Sequence, residues 1–284
     1  GIPHNSIYDI YADEQGGIWI GSWSGGVSYL HHADNKFNNF RYSKEPSSIS
    51  ENMVSSFAQM PTGELLVGTE QGGLNSFDLK SNSFQGINAL KDEGVLNVKA
   101  LRVDKDGGLW VACAFKGVYY RPKNSTEFIH FEQGAEDGKH ISALGVYTLC
   151  PSEEGMWMGT NFGGVNFYDF KTKQISFRSR EYPFSQFNDV NIRSLMIDSR
   201  ANLWTATTEG IYQVHLPSGK STHFSTTAAG SHKTRTQSFY FVAELSDGKI
   251  WMGTGGDAIN IYDPEADELV FFDANGLLKG KDAY

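Results

Sequence analysis

The sequence contains little cysteine, little proline and no long apolar run. Among its 284 residues are 2 cysteines and 8 prolines. Cys113 and Cys150 both fall in strand-like apolar stretches, which favours buried free thiols, although a disulfide between neighbouring repeats remains open. No apolar stretch approaches the roughly 18 residues of a membrane-spanning helix, and the first residues have no signal-peptide pattern. We therefore expect this segment to make no membrane contact.

Basic residues are also scarce. The chain has 24 lysines and arginines against 33 aspartates and glutamates, a formal net charge of −9. A surface of this sign repels polyanions, so no nucleic-acid partner is expected. The sequence also lacks the histidine spacings, glycine-rich loops and nucleophile elbow that metal, nucleotide and hydrolase sites require. We therefore expect no metal, no cofactor and no catalytic residue.

The sequence does contain a long internal repeat. Five of the six copies centre on a tryptophan within an apolar stretch, and the second copy has leucine in that position. Successive copies are separated by 44 or 47 residues, which indicates tandem units of one structural element. The central residues, here called anchors, are Trp19, Leu66, Trp110, Trp157, Trp204 and Trp251.

Each copy predicts four short strands. Two apolar residues three apart precede an Asp- and Gly-rich turn, the anchor strand, a glycine turn, a strand with tyrosine or phenylalanine and a strand with phenylalanine. In the fourth copy Gly145 and Thr148 stand where the apolar pair is expected, so we expect its first strand to be shifted or loosened. A four-stranded meander cannot bury both of its faces alone, so such units stack radially.

The predicted fold class is therefore all-β, a β-propeller with six four-stranded antiparallel blades, either complete or part of a seven-bladed ring. We expect a single propeller segment over residues 1–284. The predicted blades cover about 4–46, 47–90, 91–135, 136–182, 183–228 and 229–273, and 274–284 begin a further blade.

The repeat resembles the two-component regulator propeller repeat. The similarity lies in the order V-x-x-I, Asp-turn-Gly, L-W-x-G-T, Gly-Gly-Leu and Tyr, and it extends over essentially the whole chain. The resemblance implies the periplasmic sensor region of a Bacteroides-type hybrid histidine kinase, an inner-membrane protein. It also implies an oligosaccharide or other small ligand, and as partners a second propeller and an immunoglobulin-like domain of the parent chain, which forms a homodimer.

Other propeller repeats match less well. WD repeats require Gly-His and Trp-Asp pairs, and kelch repeats place the glycine pair before the tryptophan. Sialidase Asp-boxes require glycine two residues and tryptophan five residues after the aspartate. Here Gly16 and Trp19 follow Asp13 by three and six residues.

Candidate ligand-binding residues lie in the loops that propellers commonly use for binding. Trp23 is the only tryptophan outside an anchor position, and an indole there suits the face of a sugar; packing over the neighbouring loop is the alternative. The predicted set from the loops between second and third strands is Trp23, Phe115, Asn161, Phe162, Glu209 and Asp257. The predicted set from the connecting segments is His140, Asn191, Arg193, Arg235 and Gln237.

Three functions fit this pattern. The first is an extracytoplasmic ligand-sensing propeller of a hybrid two-component sensor kinase that responds to an oligosaccharide. The second is a structural or protein-interaction propeller without a small ligand, in which the candidate residues form a seam with the second propeller. The third is a propeller lyase or glycosidase that uses carboxylates such as Glu209 and Asp257.

Overall fold

The computed structural model describes residues 1–31, 33, 36–135, 138–255, 259–273 and 276–278. These residues form six antiparallel sheets, each a meander of four strands that pair in chain order. The predicted fold class, an all-β propeller with six four-stranded blades, is confirmed. The last sheet carries a fifth short strand, formed by residues 276–278.

The strands follow one another along the chain with short connections. The first three sheets contain β1 (Ile7–Ala12), β2 (Gly17–Ser22), β3 (Val27–His31), β4 (Asn38–Phe40), β5 (Val54–Gln59), β6 (Leu65–Thr69), β7 (Gly73–Asp78), β8 (Ser83–Gly86), β9 (Val98–Val103), β10 (Leu109–Cys113), β11 (Val118–Arg121) and β12 (Ile129–Phe131). The last three contain β13 (Val146–Pro151), β14 (Gly155–Thr160), β15 (Val165–Asp169), β16 (Gln174–Phe177), β17 (Ile192–Ile197), β18 (Asn202–Thr207), β19 (Gly210–His215), β20 (Ser221–Phe224), β21 (Phe239–Glu244), β22 (Ile250–Thr254), β23 (Ile259–Asp263), β24 (Glu268–Asp273) and β25 (Gly276–Leu278).

Helical structure is confined to the connections. One short helix, α1, covers Asn88–Asp92, and 3-10 turns cover Arg178–Arg180, Phe184–Phe187 and Gly230–His232. The chain divides into two compact units. The N-terminal unit consists of Gly1–Glu132 and Leu144–Val146, and the C-terminal unit of Gln133–Ala143 and Tyr147–Tyr284.

The core of each unit lies between successive sheets. In the N-terminal unit the indole of Trp19 packs edge-on against Phe77 of the second sheet, with ring centroids 5.1 Å apart. In the C-terminal unit Trp204 packs in one cluster with Phe239 and Val242 of the sixth sheet. The anchors are buried in every sheet but the sixth, where Trp251 is half-buried.

A glycine beside the anchor lets neighbouring sheets approach closely. A Cβ on Gly21 would lie 2.6 Å from Cγ1 of Val54, and a Cβ on Gly68 would lie 2.6 Å from Cγ1 of Val98. Real Cβ atoms do not approach other atoms so closely. Glycine is therefore required at positions 21 and 68, where the first strand of the next sheet packs against the anchor strand.

Three buried anchors are joined to their own hairpin turn by a hydrogen bond, here called the indole–carboxylate bond. The indole Nε1–H donates to Oδ2 of the aspartate six residues earlier, and Oδ1 of that aspartate accepts backbone N–H groups of the turn. The indole–carboxylate bonds join Trp19 to Asp13 at 2.8 Å, Trp110 to Asp104 at 2.9 Å and Trp204 to Asp198 at 2.7 Å. The six-residue spacing between aspartate and tryptophan, which distinguishes this repeat from an Asp-box, thus allows the two side chains to form a hydrogen bond.

The fourth sheet departs from the others, as the sequence predicts. Its buried apolar pair is Val146 and Leu149, one residue later than the expected positions. Val146 lies eleven residues before the anchor Trp157, whereas the other sheets have twelve. The hairpin turn is correspondingly tighter, because Ser152 N–H donates to Gly155 O across three residues, and the other turns span four.

The two cysteines are buried free thiols. Cys113 lies in β10 and Cys150 in β13. Burial raises the pKa of the Cys113 thiol to about 12, because an apolar surrounding disfavours the thiolate. The thiolate is the nucleophilic form, so this cysteine is chemically inert in the folded chain.

We expect Asp104→Ala to lower the free energy of unfolding by about 2–3 kcal/mol, because it leaves the buried Trp110 indole and the turn N–H groups without an acceptor. Urea denaturation measures this difference. Asp106→Ala in the same turn is the matched control, since its carboxylate makes none of these bonds, and it should change stability by less than about 0.5 kcal/mol. Equal losses in both variants would contradict a stabilising role for the indole–carboxylate bond.

We expect Cys113 to resist alkylation by iodoacetamide at mildly alkaline pH while the chain is folded, and to react readily in denaturant. Burial both blocks access and suppresses the thiolate, so the two effects act in the same direction. Mass spectrometry of tryptic peptides identifies the alkylated residue. Rapid native labelling of Cys113 would show that β10 opens far more often than its burial implies.

Candidate functional site

The loops between second and third strands lie beside the segments that lead into the first strands. Backbone hydrogen bonds fix this arrangement in the N-terminal unit. Trp23 N–H donates to Ser6 O at 3.0 Å, and Glu70 N–H donates to Met53 O at 2.9 Å. Side chains at these positions are held at the strand ends but take no part in the sheets, so their chemistry is not dictated by folding.

Trp23 stacks on a neighbouring aromatic ring and still presents a large surface to solvent. Its indole lies nearly parallel to the ring of Tyr8, with centroids 5.3 Å apart and an interplanar angle of 21°. Trp23 is 44% exposed and Tyr8 is 50% exposed. The pair forms an aromatic platform in the N-terminal unit, and Tyr8 is a member that the sequence analysis did not identify.

Asn161 and Asn191 are brought together in the C-terminal unit. Asn161 follows β14, Asn191 precedes β17, and the two residues form an isolated antiparallel bridge. The Oδ1 atom of each is buried, and neither accepts a hydrogen bond from any residue that the structure describes. Buried unpaired amide groups are rare because each costs about 1–3 kcal/mol.

Phe162 combines exposure with an unfavourable backbone conformation. Its side chain is 64% exposed, and its φ of 60° is in the left-handed region. That region is uncommon for a bulky residue, and such strain tends to persist at functional sites. Phe162 follows Asn161 directly, so an exposed aromatic ring lies next to the pair of unpaired amides.

Two further predicted residues belong to the C-terminal unit: His140 lies in a connecting segment, whereas Arg193, expected in one, lies in β17. His140 Nδ1 is buried and has no hydrogen-bond partner among the described residues. Arg193 is anchored, because its Nη1 donates to Ser238 Oγ at 2.9 Å and its guanidinium lies 4.0 Å from the ring centroid of Tyr240. Tyr240 is 53% exposed and was not predicted from the sequence.

The remaining predicted residues do not join a common cluster in the structure. Phe115 is exposed in the N-terminal unit, and Glu209 and Gln237 are exposed in the C-terminal unit. Arg235 lies over the ring of Phe271, with its guanidinium 4.9 Å from the centroid. Asp257 lies outside the described residues.

Of the carboxylates that the sequence suggests for catalysis, Glu209 is exposed and Asp257 lies outside the described residues. Glu70 is held in an ion pair with Lys99. The backbone carbonyl of Glu209, rather than its carboxylate, contacts the His223 ring at 2.9 Å. No group of three or more His, Cys, Asp or Glu side chains within the described ranges is placed to hold a metal ion. What the loops do provide is aromatic surface and hydrogen-bonding capacity, which suits binding.

Within the part of the chain that the structure describes, no helix is long and apolar enough to cross a membrane.

Comparison with known proteins gives a family match at the start of the chain and one similar kinase. Residues 1–24 match the family model described as the two component regulator propeller. The chain is also 26% identical over 249 residues to histidine kinase P4 of Formosa agariphila. That match covers 86% of this chain and 17% of the kinase, so the chain spans only a small part of this relative.

Solved structures share the fold. The extracellular domain of a candidate hybrid two component system from B. thetaiotaomicron is similar at a TM-score of 0.61 and 17% identity, over 98% of this chain and 44% of that one. Streptogramin B lyase is similar at a TM-score of 0.64 and 12% identity, over 99% of this chain and 85% of that one. PorZ of Porphyromonas gingivalis is similar at a TM-score of 0.62 and 17% identity, over 94% of this chain and 38% of that one. At these identities the likeness concerns the fold alone.

We expect Asn161→Leu to leave the free energy of unfolding unchanged or to raise it by about 1 kcal/mol, because it removes a buried unpaired amide. Asn166→Leu is the matched control. Both its amide atoms are hydrogen-bonded, Oδ1 accepting from Ser142 N–H at 3.0 Å and Nδ2 donating to Ser142 Oγ at 2.8 Å, so this variant should lose about 2 kcal/mol. Chemical denaturation compares the two. A large loss for Asn161→Leu would show that its amide is satisfied in solution.

Proposed function

Because residues 1–24 match the two component regulator propeller, we propose that this chain is a ligand-sensing propeller of a hybrid two-component sensor kinase, and that its ligand is an oligosaccharide. The similarity to a histidine kinase and to an extracellular sensor domain supports the sensor role. The same similarity supports a periplasmic position. In this proposal the kinase chemistry belongs to other parts of the parent protein and the propeller itself is not an enzyme.

The loop at Asn161 and Phe162 carries the ligand-binding proposal. A sugar hydroxyl can donate to an amide oxygen, and rotation of the Asn161 and Asn191 side chains would present these oxygens to a ligand. The exposed ring of Phe162 would cover the apolar face of the sugar. Arg193, two residues after Asn191 in the chain and held in place by Ser238 and Tyr240, would supply a further donor.

Signalling requires that the ligand prefer one arrangement of the receptor over another. An unpaired buried amide and a strained loop raise the free energy of the unliganded state, so a ligand that relieves them favours the bound arrangement. We propose that this preference is passed to a second propeller and an immunoglobulin-like domain of the same parent chain, and across a homodimer.

We expect at least one neutral oligosaccharide in a broad panel to raise the melting temperature of the chain by several degrees, since a ligand specific to the folded state stabilises it. Phe162→Gly should abolish this rise, because it removes the aromatic surface. Its own melting temperature should stay equal or increase, since glycine accepts a positive φ without strain.

Gln71→Gly is the matched control for that variant. Gln71 occupies the same loop position in the second sheet, and its φ is 71°. The substitution relieves the same backbone strain, but it should leave the ligand-induced rise intact. Absence of any rise across the panel would favour the structural or protein-interaction role instead.

A further inference from the structure

The first strands of five sheets carry a β-bulge at the same position. The register with the second strand shifts there, and the extra residue directly follows the first apolar residue of the strand. The bulged residues are Tyr8, Ser55, Lys99, Arg193 and Tyr240. A bulge re-aims a side chain relative to the regular alternation of a strand, and bulges are common beside binding sites. The chemistry at this position is therefore not dictated by the packing of the sheets.

Two of the bulged residues are cations, and they differ in their counter-charge. Lys99 forms an ion pair with Glu70, which lies in the loop between the second and third strands of the preceding sheet. Glu70 follows its anchor by four residues, and Asn161 follows the anchor of the fourth sheet by the same four. Between the fourth and fifth sheets Asn161 thus occupies the position of Glu70, and Arg193 occupies that of Lys99. A neutral amide has replaced the carboxylate.

Arg193 is held in one position although it forms no ion pair with a carboxylate of any described residue. Its Nη1 atom donates to Ser238 Oγ at 2.9 Å and to Phe239 O at 3.4 Å, and its guanidinium lies 4.0 Å from the ring centroid of Tyr240. Its Nε and Nη2 atoms donate to none of the described residues. A guanidinium edge of two nitrogens binds both oxygens of a carboxylate. The neighbours of Arg193 therefore fix the side chain and leave such an edge available.

The amide groups next to Arg193 in the chain present donors as well. The Oδ1 atoms of Asn161 and Asn191 are buried, whereas their Nδ2 atoms are neither buried nor hydrogen-bonded within the described ranges. The bridge between these two residues holds both amides at the start of β17. A ligand that arrives from solvent meets N–H groups and one positive charge. A group that carries negative charge and only accepts hydrogen bonds complements them.

The surroundings favour an acid with one charge and an apolar body. The formal net charge of the chain is −9, which opposes the approach of a multivalent anion. Phe162 directly follows Asn161 and is 64% exposed, and Tyr240 lies on the Arg193 guanidinium and is 53% exposed. These two rings offer apolar surface beside the donors.

We propose that Arg193 binds the carboxylate of a small monocarboxylic acid with an apolar or aromatic body. The Nε–Nη2 edge donates to both carboxylate oxygens, and Asn161 Nδ2 supplies a further donor. The rings of Phe162 and Tyr240 contact the apolar body. This inference does not rest on the proposed oligosaccharide function, since simple acids test the one and neutral sugars test the other.

Benzoate and benzamide provide the test, because they have nearly the same shape and differ in charge. Their dissociation constants are measured near neutral pH from the amide signals of the nitrogen-15-labelled chain, with each compound added to millimolar concentration. We expect benzoate to bind about tenfold or more tightly than benzamide, and more tightly than acetate or inorganic phosphate. Equal binding of benzoate and benzamide, tighter binding of phosphate, or no binding of benzoate would overturn the proposal.

The two bulged cations supply a matched pair of variants. Arg193→Gln should weaken benzoate binding about tenfold or more, because it removes the charge and the bidentate edge. Lys99→Gln should leave benzoate binding unchanged, since this cation is already paired with Glu70. Equal weakening by both variants would show that benzoate responds to the overall charge of the chain, and would overturn the assignment of Arg193.

Asn161→Glu tests the same assignment with Arg193 intact. The new carboxylate occupies the position of Glu70 and can pair with Arg193 as Glu70 pairs with Lys99. We expect benzoate binding to be lost while the melting temperature stays equal or rises, which shows that the variant is folded. Retained benzoate binding in this variant would contradict the proposal. The panel of neutral oligosaccharides, applied to the unaltered chain, reports separately on the proposed function.

Discussion

One carboxylate in the hairpin turn determines two features of a blade, the shape of the turn and the position of the buried indole. In the first, third and fifth sheets Oδ1 of the aspartate accepts N–H groups of the turn, and Oδ2 accepts the indole N–H. The indole in turn packs against the next sheet. Turn geometry and packing between sheets are therefore coupled through a charge-assisted hydrogen bond in a buried position.

This coupling explains why departures from the repeat are informative. Where the aspartate and the tryptophan are lost together, as at Met60 and Leu66, the blade remains apolar and complete. Where only the aspartate is lost, at Ser152 and Trp157, the indole–carboxylate bond is absent and the indole borders an open cleft. One copy of the repeat can thus lose the bond while the rest of the fold is held by the other copies.

The fold could be predicted from the sequence because its determinants are local and repeated six times. Strand alternation, turn glycines and anchor spacing each depend on residues within one copy. Where one copy departs from the pattern, the other five still indicate the same four strands. Gly145 and Thr148 even indicate that the first strand of the fourth sheet is shifted. In the sequence, the spacing from Asp13 to Trp19 serves only to distinguish this repeat from a sialidase Asp-box. Sequence alone does not show that the two side chains share a hydrogen bond.

The candidate site was predictable only in part, because its members differ from copy to copy. The repeat pattern predicts that Trp23, Asn161 and Phe162 lie in loops, but it does not indicate their neighbours Tyr8 and Tyr240. Tyr8 lies in a first strand and Tyr240 in another, where an aromatic residue normally indicates core. Asn161 pairs with Asn191 of the segment that leads into the next sheet, and no periodic pattern in the sequence indicates this pairing.

The unpaired groups also set the scale of the signal that such a propeller can deliver. Each buried unpaired amide raises the free energy of the unliganded state by about 1–3 kcal/mol, and backbone strain of the kind seen at Phe162 adds about 1–3 kcal/mol. Coupling between sites in allosteric proteins is typically about 1–3 kcal/mol. A ligand that satisfies even one amide can therefore supply the required difference. Sheets held rigid by indole–carboxylate bonds deform little. The free-energy difference between the two states would therefore appear as a change in packing at the surface of the propeller.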